Sequence, residues 1–192
     1  MKTIEYVLSG FLVFGYIVTF MIPGVKEIPY LFESLDIMLV FGLFLLPFLV
    51  MLHTNRFTAK LGVGGFGIYA MAVLFFMQDW PGERVLWIAF SVYLGLLGIF
   101  WITSHLMKSP RFPNTWHLVS GFLLLAVCVM DFATQFIFSP SIRVGLYATL
   151  FLLLLIQWYT GKMTDEQRPV IYLTGVIVAL ACLRNLNWLI AV

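Results

Sequence analysis

Residues 35–52, LDIMLVFGLFLLPFLVML, form a continuous apolar stretch with one charged side chain, Asp36. About 18 or more apolar residues in a row with so few charges are typical of a helix that crosses a lipid bilayer. A transmembrane β-strand would instead alternate between apolar and polar residues over about ten positions. The stretch therefore predicts a membrane-spanning α-helix.

Stretches of the same kind recur along the chain of 192 residues, of which 62% are hydrophobic and 10% are charged. Soluble domains have about 45–50% apolar and about 25% charged residues, so a soluble domain is excluded. The predicted spans are Glu5–Ile22, Leu35–Leu52, Leu61–Met77, Val85–Ser104, Trp116–Phe138, Ile142–Thr160 and Pro169–Ala191. The loops between them are too short for another folded unit. We therefore expect an all-α fold, a polytopic transmembrane bundle of seven helices, with residues 1–192 in a single domain.

The charge balance and the two cysteines exclude several other classes of protein. A net charge of +2 does not fit a basic nucleic-acid-binding protein, so no nucleic-acid partner is expected. Cys128 and Cys182 both lie inside apolar runs, which indicates neither a disulfide framework nor a zinc site. No motif identifies a cofactor. The expected surroundings are the lipid bilayer, with further copies of the chain or partner subunits as additional partners.

Basic residues predict the orientation of the bundle. Three of them, Lys26, Arg84 and Arg143, lie in the loops that follow the odd-numbered spans or, for Arg143, at the edge of such a loop. The N-terminus and the other loops hold seven: Lys2, Arg56, Lys60, Lys108, Arg111, Lys162 and Arg168. Because Lys and Arg concentrate on the cytoplasmic side, the N-terminus is predicted inside and, after seven spans, the C-terminus outside. Minimal loops without an Asn-x-Ser/Thr sequence favour a bacterial-type inner (plasma) membrane.

A weak internal repeat relates the two ends of the chain at an offset of 111 residues. Ser9-Gly10-Phe11-Leu12 aligns with Ser120-Gly121-Phe122-Leu123, and Pro29 and Gly64 align with Pro140 and Gly175. Such a repeat predicts a 3+1+3 arrangement with the fourth helix as connector. Both halves would then have the same orientation, as in the parallel repeats of some transporters.

Glycines within the spans indicate where helices approach each other. Lipid tails provide no hydrophobic drive for helices to associate, so small residues usually line helix contacts in membranes. The sequence places them at residues 62–67 in the third span, at Gly95 and Gly98 in the fourth, and at Gly175 and Ala179 in the seventh. A dinucleotide-binding loop would need a preceding strand, which the chain lacks.

Two charged residues lie deep inside predicted spans. Asp131 and Arg184 are each about 15 residues into a helix that runs from the cytoplasm outward, so they share a depth in the outer third of the membrane. A charge in this environment costs a few kcal/mol, and a nearby opposite charge offsets that cost. We expect the two side chains to face the bundle interior within reach of each other.

Further polar side chains are expected beside this pair. Helical spacing places Gln135 near Asp131 and Asn187 near Arg184, Asn185 is about 100° away from Arg184, and Asp36 lies at the outer end of the second span. The candidate ligand-binding residues are therefore Asp131, Arg184, Gln135, Asn185, Asn187 and Asp36. The alternative is a structural salt bridge that fixes two helices.

These features lead to three functional hypotheses. The first is a small solute or ion transporter or channel with a polar site in the outer half of the bundle. The second is a membrane subunit of a larger complex, a redox complex if His53, His105 and His117 at the cytoplasmic helix ends bind haem or a metal. The third is an enzyme acting on lipid or isoprenoid substrates, although no catalytic motif is present. No catalytic or metal-ligating residue is assigned.

Overall fold

The computed structural model describes residues 3–22, 28–53, 56–107, 115–133, 140–160, 165 and 167–190. Nearly all of them belong to seven α-helices, and these residues include no β-strand. The helices are α1 (Thr3–Met21), α2 (Pro29–His53), α3 (Phe57–Met77), α4 (Glu83–Leu106), α5 (Thr115–Ala133), α6 (Pro140–Thr160) and α7 (Gln167–Ile190). The predicted all-α class is therefore confirmed.

Six of these helices (α1, α2, α3, α4, α6 and α7) are long and apolar enough to cross a membrane. The apolar part of α5 that the structure describes, His117–Phe132, is shorter than this criterion requires. The predicted fifth span continues to Phe138, but residues 134–139 lie outside the described ranges. The third span is the shortest in the sequence prediction, yet α3 meets the length criterion. A count of seven spans stays a prediction.

All seven helices begin earlier than hydropathy predicts, and two of them by at least four residues. Helix α2 starts at Pro29 rather than Leu35, and α3 starts at Phe57 rather than Leu61. Hydropathy marks only the apolar part of a helix, whereas backbone hydrogen bonding continues into polar residues at its ends. Proline in the first turn is compatible with this, because its missing N–H would have no partner inside the helix. Helix α2 also continues through Pro47.

Helix α7 has the most enclosed position. Each helix packs against the next along the chain, and α7 also contacts α1 and α3. More than half of its span is buried, the largest share among the six candidate spans. Polar side chains on α7 are therefore brought close to several other helices.

Glycines produce the close contacts predicted for α3 and α4. A Cβ atom on Gly98 would lie 2.6 Å from the carbonyl oxygen of Gly121 on α5, and one on Gly95 would lie 2.8 Å from Cys128 Sγ. A Cβ on Gly62 would lie 3.2 Å from the Cα of Val170 on α7. The prediction is wrong for Gly64, Gly67 and Gly175, because a Cβ at these positions has no neighbour within 4 Å among the described residues.

Large apolar side chains cover the outside of the bundle. Phe14, Phe41, Leu96 and Val129 on four different helices are each more than 60% exposed. Exposed apolar surface on this scale does not suit a protein surrounded by water, but it suits contact with lipid. The helical bundle is therefore that of a membrane-embedded protein.

Candidate functional site

A cavity of about 250 Å³ lies between the start of α4, the end of α5, the start of α6 and the end of α7. We call it the α4–α7 cavity. Its charged lining residues are Glu83, Arg84, Asp131, Arg143 and Arg184. Four of the seven helices thus bring charged side chains to one place at one end of the bundle.

A tight turn between α3 and α4 positions Glu83, one of the two acidic residues of this cavity. Gly82 precedes α4 with a φ of +104°, a left-handed conformation that costs glycine little because it has no Cβ. The backbone N–H groups of Val85 and Leu86 donate to the Gly82 carbonyl oxygen at 3.0 and 3.2 Å. Glu83 therefore lies in the first turn of α4, where the helix dipole stabilises a negative charge.

Arg184 is held by α4 on two sides. One guanidinium NH2 group lies 3.3 Å from Glu83 Oε1, and the guanidinium carbon lies 3.5 Å from the centre of the Trp87 ring. Trp87 Nε1 also donates to Glu83 Oε1 at 2.8 Å. Glu83 and Trp87 are four residues apart on one helix face, so they form a preformed clamp for a planar cation.

Asp131 accepts hydrogen bonds from two buried hydroxyl groups. Ser91 Oγ on α4 lies 2.8 Å from Asp131 Oδ2, and the Tyr147 hydroxyl on α6 lies 2.9 Å from the same oxygen. Ser91 and Tyr147 are 5% and 4% exposed. The carboxyl group therefore connects three neighbouring helices beside the cavity.

The two intramembrane charges line one cavity but differ from the predicted arrangement in their partners. Asp131 and Arg184 are both lining residues. Among the described residues, the ion pair of Arg184 is with Glu83 and not with Asp131. The reason is that α4 presents Glu83 at the end of α7, whereas Ser91 and Tyr147 surround the Asp131 carboxyl group.

The remaining predicted site residues separate into three groups. Asn185 lines the α4–α7 cavity, and its amide group donates to the Ala181 carbonyl oxygen at 2.8 Å. Asp36 does not join it, because it lines a different hollow between α2 and α3 together with Glu33 and Gln78. Gln135 and the side chain of Asn187 lie outside the described residues.

Sequence reasoning missed most of the polar and aromatic residues of the cavity, among them Glu83, Trp87, Ser91, Arg143 and Tyr147. Glu83 and Arg143 were assigned to the loops, and Ser91 has no charge to distinguish it. A spacing of four residues was the available signal, since it relates Glu83 to Trp87, Trp87 to Ser91, and Arg143 to Tyr147.

A second polar cluster lies at the opposite end of the bundle, around the first turn of α1. Glu5 is 1% exposed, and its Oε1 atom lies 2.8 Å from Nδ1 of His53 at the end of α2. The Tyr172 hydroxyl, near the start of α7, lies 2.7 Å from the Glu5 carbonyl oxygen and 2.8 Å from Ser9 Oγ. These contacts connect α1, α2 and α7 at that end.

The three histidines lie on three helices, in different surroundings. His53 contacts Glu5, His117 is 1% exposed and packs beside the Trp101 ring at 5.7 Å, and His105 is half-buried in the last turn of α4. Nearby, the Gln157 amide group of α6 donates to Ser120 Oγ of α5. Over the described ranges, no three His, Cys, Asp or Glu side chains are grouped so that they could hold a metal ion.

Comparison with known protein families, with characterised proteins and with solved structures finds no match to this chain.

Proposed function

We propose that this protein is a multi-pass transporter or channel that binds a small solute or ion in the α4–α7 cavity. The observation that carries the proposal is the cavity itself, where five charged side chains from four helices meet in a mainly apolar bundle. Charged groups in a membrane are costly and usually mark a substrate or ion pathway. A single structural salt bridge would need only two of them.

The proposed topology is that predicted from the sequence. Seven spans place the N-terminus in the cytoplasm and the C-terminus outside, in a bacterial-type inner membrane. Glu83 at the start of α4 and Arg184 near the end of α7 are in contact, as antiparallel helices of this topology require. The α4–α7 cavity would then face the outside. The 3+1+3 repeat also stays a prediction.

The contacts at the opposite end support an outward-facing state of such a transporter. Glu5, His53 and Tyr172 hold α1, α2 and α7 together there. Alternating access needs one side of the bundle closed while the other is open. In this proposal, opening toward the cytoplasm requires these contacts to separate.

Solute flux into liposomes tests the proposal, with Asp131→Asn and Arg184→Gln as cavity variants. Asp36→Asn is the matched control, because it makes the same chemical change in a different hollow. We expect the cavity variants to reduce flux of a transported solute at least tenfold and the control to retain it. Fluxes that are equal in all variants, or no flux with any small acid, amine, sugar or inorganic ion, would contradict the proposal.

Reporter fusions test the topology separately. A reporter that is active only in the cytoplasm should be inactive at the C-terminus and active at the N-terminus. Activity at both ends would mean that the number of spans is even, and α5 would be the first helix to reconsider.

A second candidate function, a subunit of a larger membrane complex or a homo-oligomer, is favoured by one observation. A lipid-facing apolar groove of about 780 Å³ runs along α7 between α1 and α6, with Gly10, Gly175 and Ala179 among its lining residues. Small residues in such a groove suit close approach of another helix. A Cβ at Gly175 has open space, so Gly175→Leu should fill the groove and abolish a stable assembly without disturbing the fold.

A further inference from the structure

We propose that the solute of the α4–α7 cavity is a small oxyanion, bound by the guanidinium groups of Arg143 and Arg184. This inference rests on the proposed function, because it names the class of solute for the same cavity. It follows from the charge balance of the lining, the hydrogen bonds already made there, and the size of the space.

The charged lining residues have an excess of one positive charge. Arg84, Arg143 and Arg184 face the cavity together with two acids, Glu83 and Asp131. A monoanion would neutralise this excess, whereas a cation would increase it. In a low-dielectric environment such a difference strongly favours the anion.

The hydrogen bonds of the lining show which kind of group is missing. Both acids already have hydrogen-bond donors. Glu83 accepts hydrogen bonds from Trp87 and Arg184, and Asp131 accepts them from Ser91 and Tyr147. Each acid in the lining therefore already has two hydrogen-bond donors supplied by the protein.

Donors, by contrast, are left over. Within the part of the chain that the structure describes, the buried Nε atoms of Arg143 and Arg184 have no hydrogen-bond partner. Neither an ion pair nor a hydrogen bond engages the rest of the Arg143 guanidinium there, and this group lines the cavity. Buried donors without an acceptor are unfavourable, so a ligand that only accepts hydrogen bonds is the best complement.

The shape and size of the site favour a small oxyanion over other acceptors. A guanidinium group offers parallel N–H donors that match two oxygens of one carboxylate, phosphate or nitrate. Trp87 packs against the face of the Arg184 guanidinium and so restricts its orientation. The 250 Å³ volume is below the roughly 300–1,000 Å³ of pockets for drug-sized ligands, so it suits a small anion.

Calorimetric titration of the purified full chain in detergent tests the inference, with sodium lactate, sodium acetate, sodium nitrate and inorganic phosphate as probes. Lactamide is the matched neutral control for lactate, and choline is the cationic control. We expect at least one oxyanion to bind and neither control to do so. Comparison of the affinities for the carboxylates, nitrate and phosphate identifies which kind of oxyanion the cavity prefers.

Variants connect that binding to the cavity. Arg143→Gln and Arg184→Gln should each weaken binding about tenfold or more, as expected for loss of a hydrogen bond to a charged group. Arg143→Lys should retain more of the binding affinity than Arg143→Gln but less than the parent, because lysine keeps the charge without the parallel donors. Arg56→Gln, at the opposite end near Asp165, should have no effect. Arg143→Gln removes no hydrogen bond or ion pair that the described residues make, so it should fold even if Arg184→Gln does not.

The outcomes separate the two proposals. Binding of lactamide or choline in the cavity would contradict the proposal that the ligand is an oxyanion, and so would anion binding that Arg143→Gln leaves unchanged. Neither result would contradict solute transport. Absence of both binding and flux for every probe would overturn both. Oxyanion binding that depends on Arg143, without flux, would support the ligand class and contradict transport.

Discussion

The ion pair between Arg184 and Glu83 gives the sharpest prediction about the fold. Arg184→Gln removes a charge-assisted hydrogen bond, worth about 1.5–3 kcal/mol, and a cation–π contact with Trp87, worth about 0.5–2 kcal/mol. The two side chains are 21% and 30% exposed, so screening by solvent reduces the sum. We expect the free energy of unfolding to fall by about 2 kcal/mol.

Glu83→Gln should have a smaller effect. The amide oxygen that replaces the carboxylate can still accept from Trp87 Nε1, so only the attraction between charges is lost. We expect a loss of about 1 kcal/mol, and a coupling energy of about 1 kcal/mol between positions 83 and 184.

A double-mutant cycle measured by reversible unfolding in mixed micelles checks these values. A second cycle with Asp131→Asn and Arg184→Gln is the comparison, because these residues line one cavity without a direct ion pair. Its coupling energy should be below about 0.5 kcal/mol. Stronger coupling between positions 131 and 184 than between 83 and 184 would refute this account of the cavity.

Three further predictions concern other parts of the fold. Gly98→Ala should destabilise the protein, because the new Cβ would lie 2.6 Å from the Gly121 carbonyl oxygen. Gly145→Ala, which has open space, should be neutral or stabilising by up to about 1 kcal/mol, and thermal melts of the two variants distinguish these effects. His53→Ala should cost about 1–3 kcal/mol by removing a hydrogen-bond partner of the buried Glu5 carboxylate, and His53→Gln should recover part of that loss in chemical unfolding. Gly175→Leu should leave the melting temperature within about 2 °C of the parent, because a Cβ there has no neighbour within 4 Å and the longer side chain would extend into the open groove. A larger fall would show that the groove has no room for the side chain within the fold.

Much of the architecture follows from local sequence. Long apolar stretches with few charges predict membrane helices, since every backbone polar group in lipid must be satisfied within the segment. Six of the seven predicted stretches correspond to helices that can span a membrane. The contact at Gly98 was also predictable, because close approach of helices in lipid requires a small residue.

Along one helix, sequence also determines depth. The rise of 1.5 Å per residue places Asp131 and Arg184 at similar heights, and both line the α4–α7 cavity. The partner of each charge depends on how every helix is rotated about its axis. An uncertainty of one residue turns a side chain by 100°, enough to move it from the cavity to the lipid.

Packing among all seven helices sets those rotations. It placed Glu83 of α4 beside Arg184, surrounded Asp131 with Ser91 and Tyr147, and put Asp36 in a separate hollow. The pattern of apolar stretches is enough to predict that Asp131 and Arg184 lie inside an apolar bundle, and at what depth. The partner of each charge depended on contacts between residues up to 101 positions apart, which no local pattern encodes.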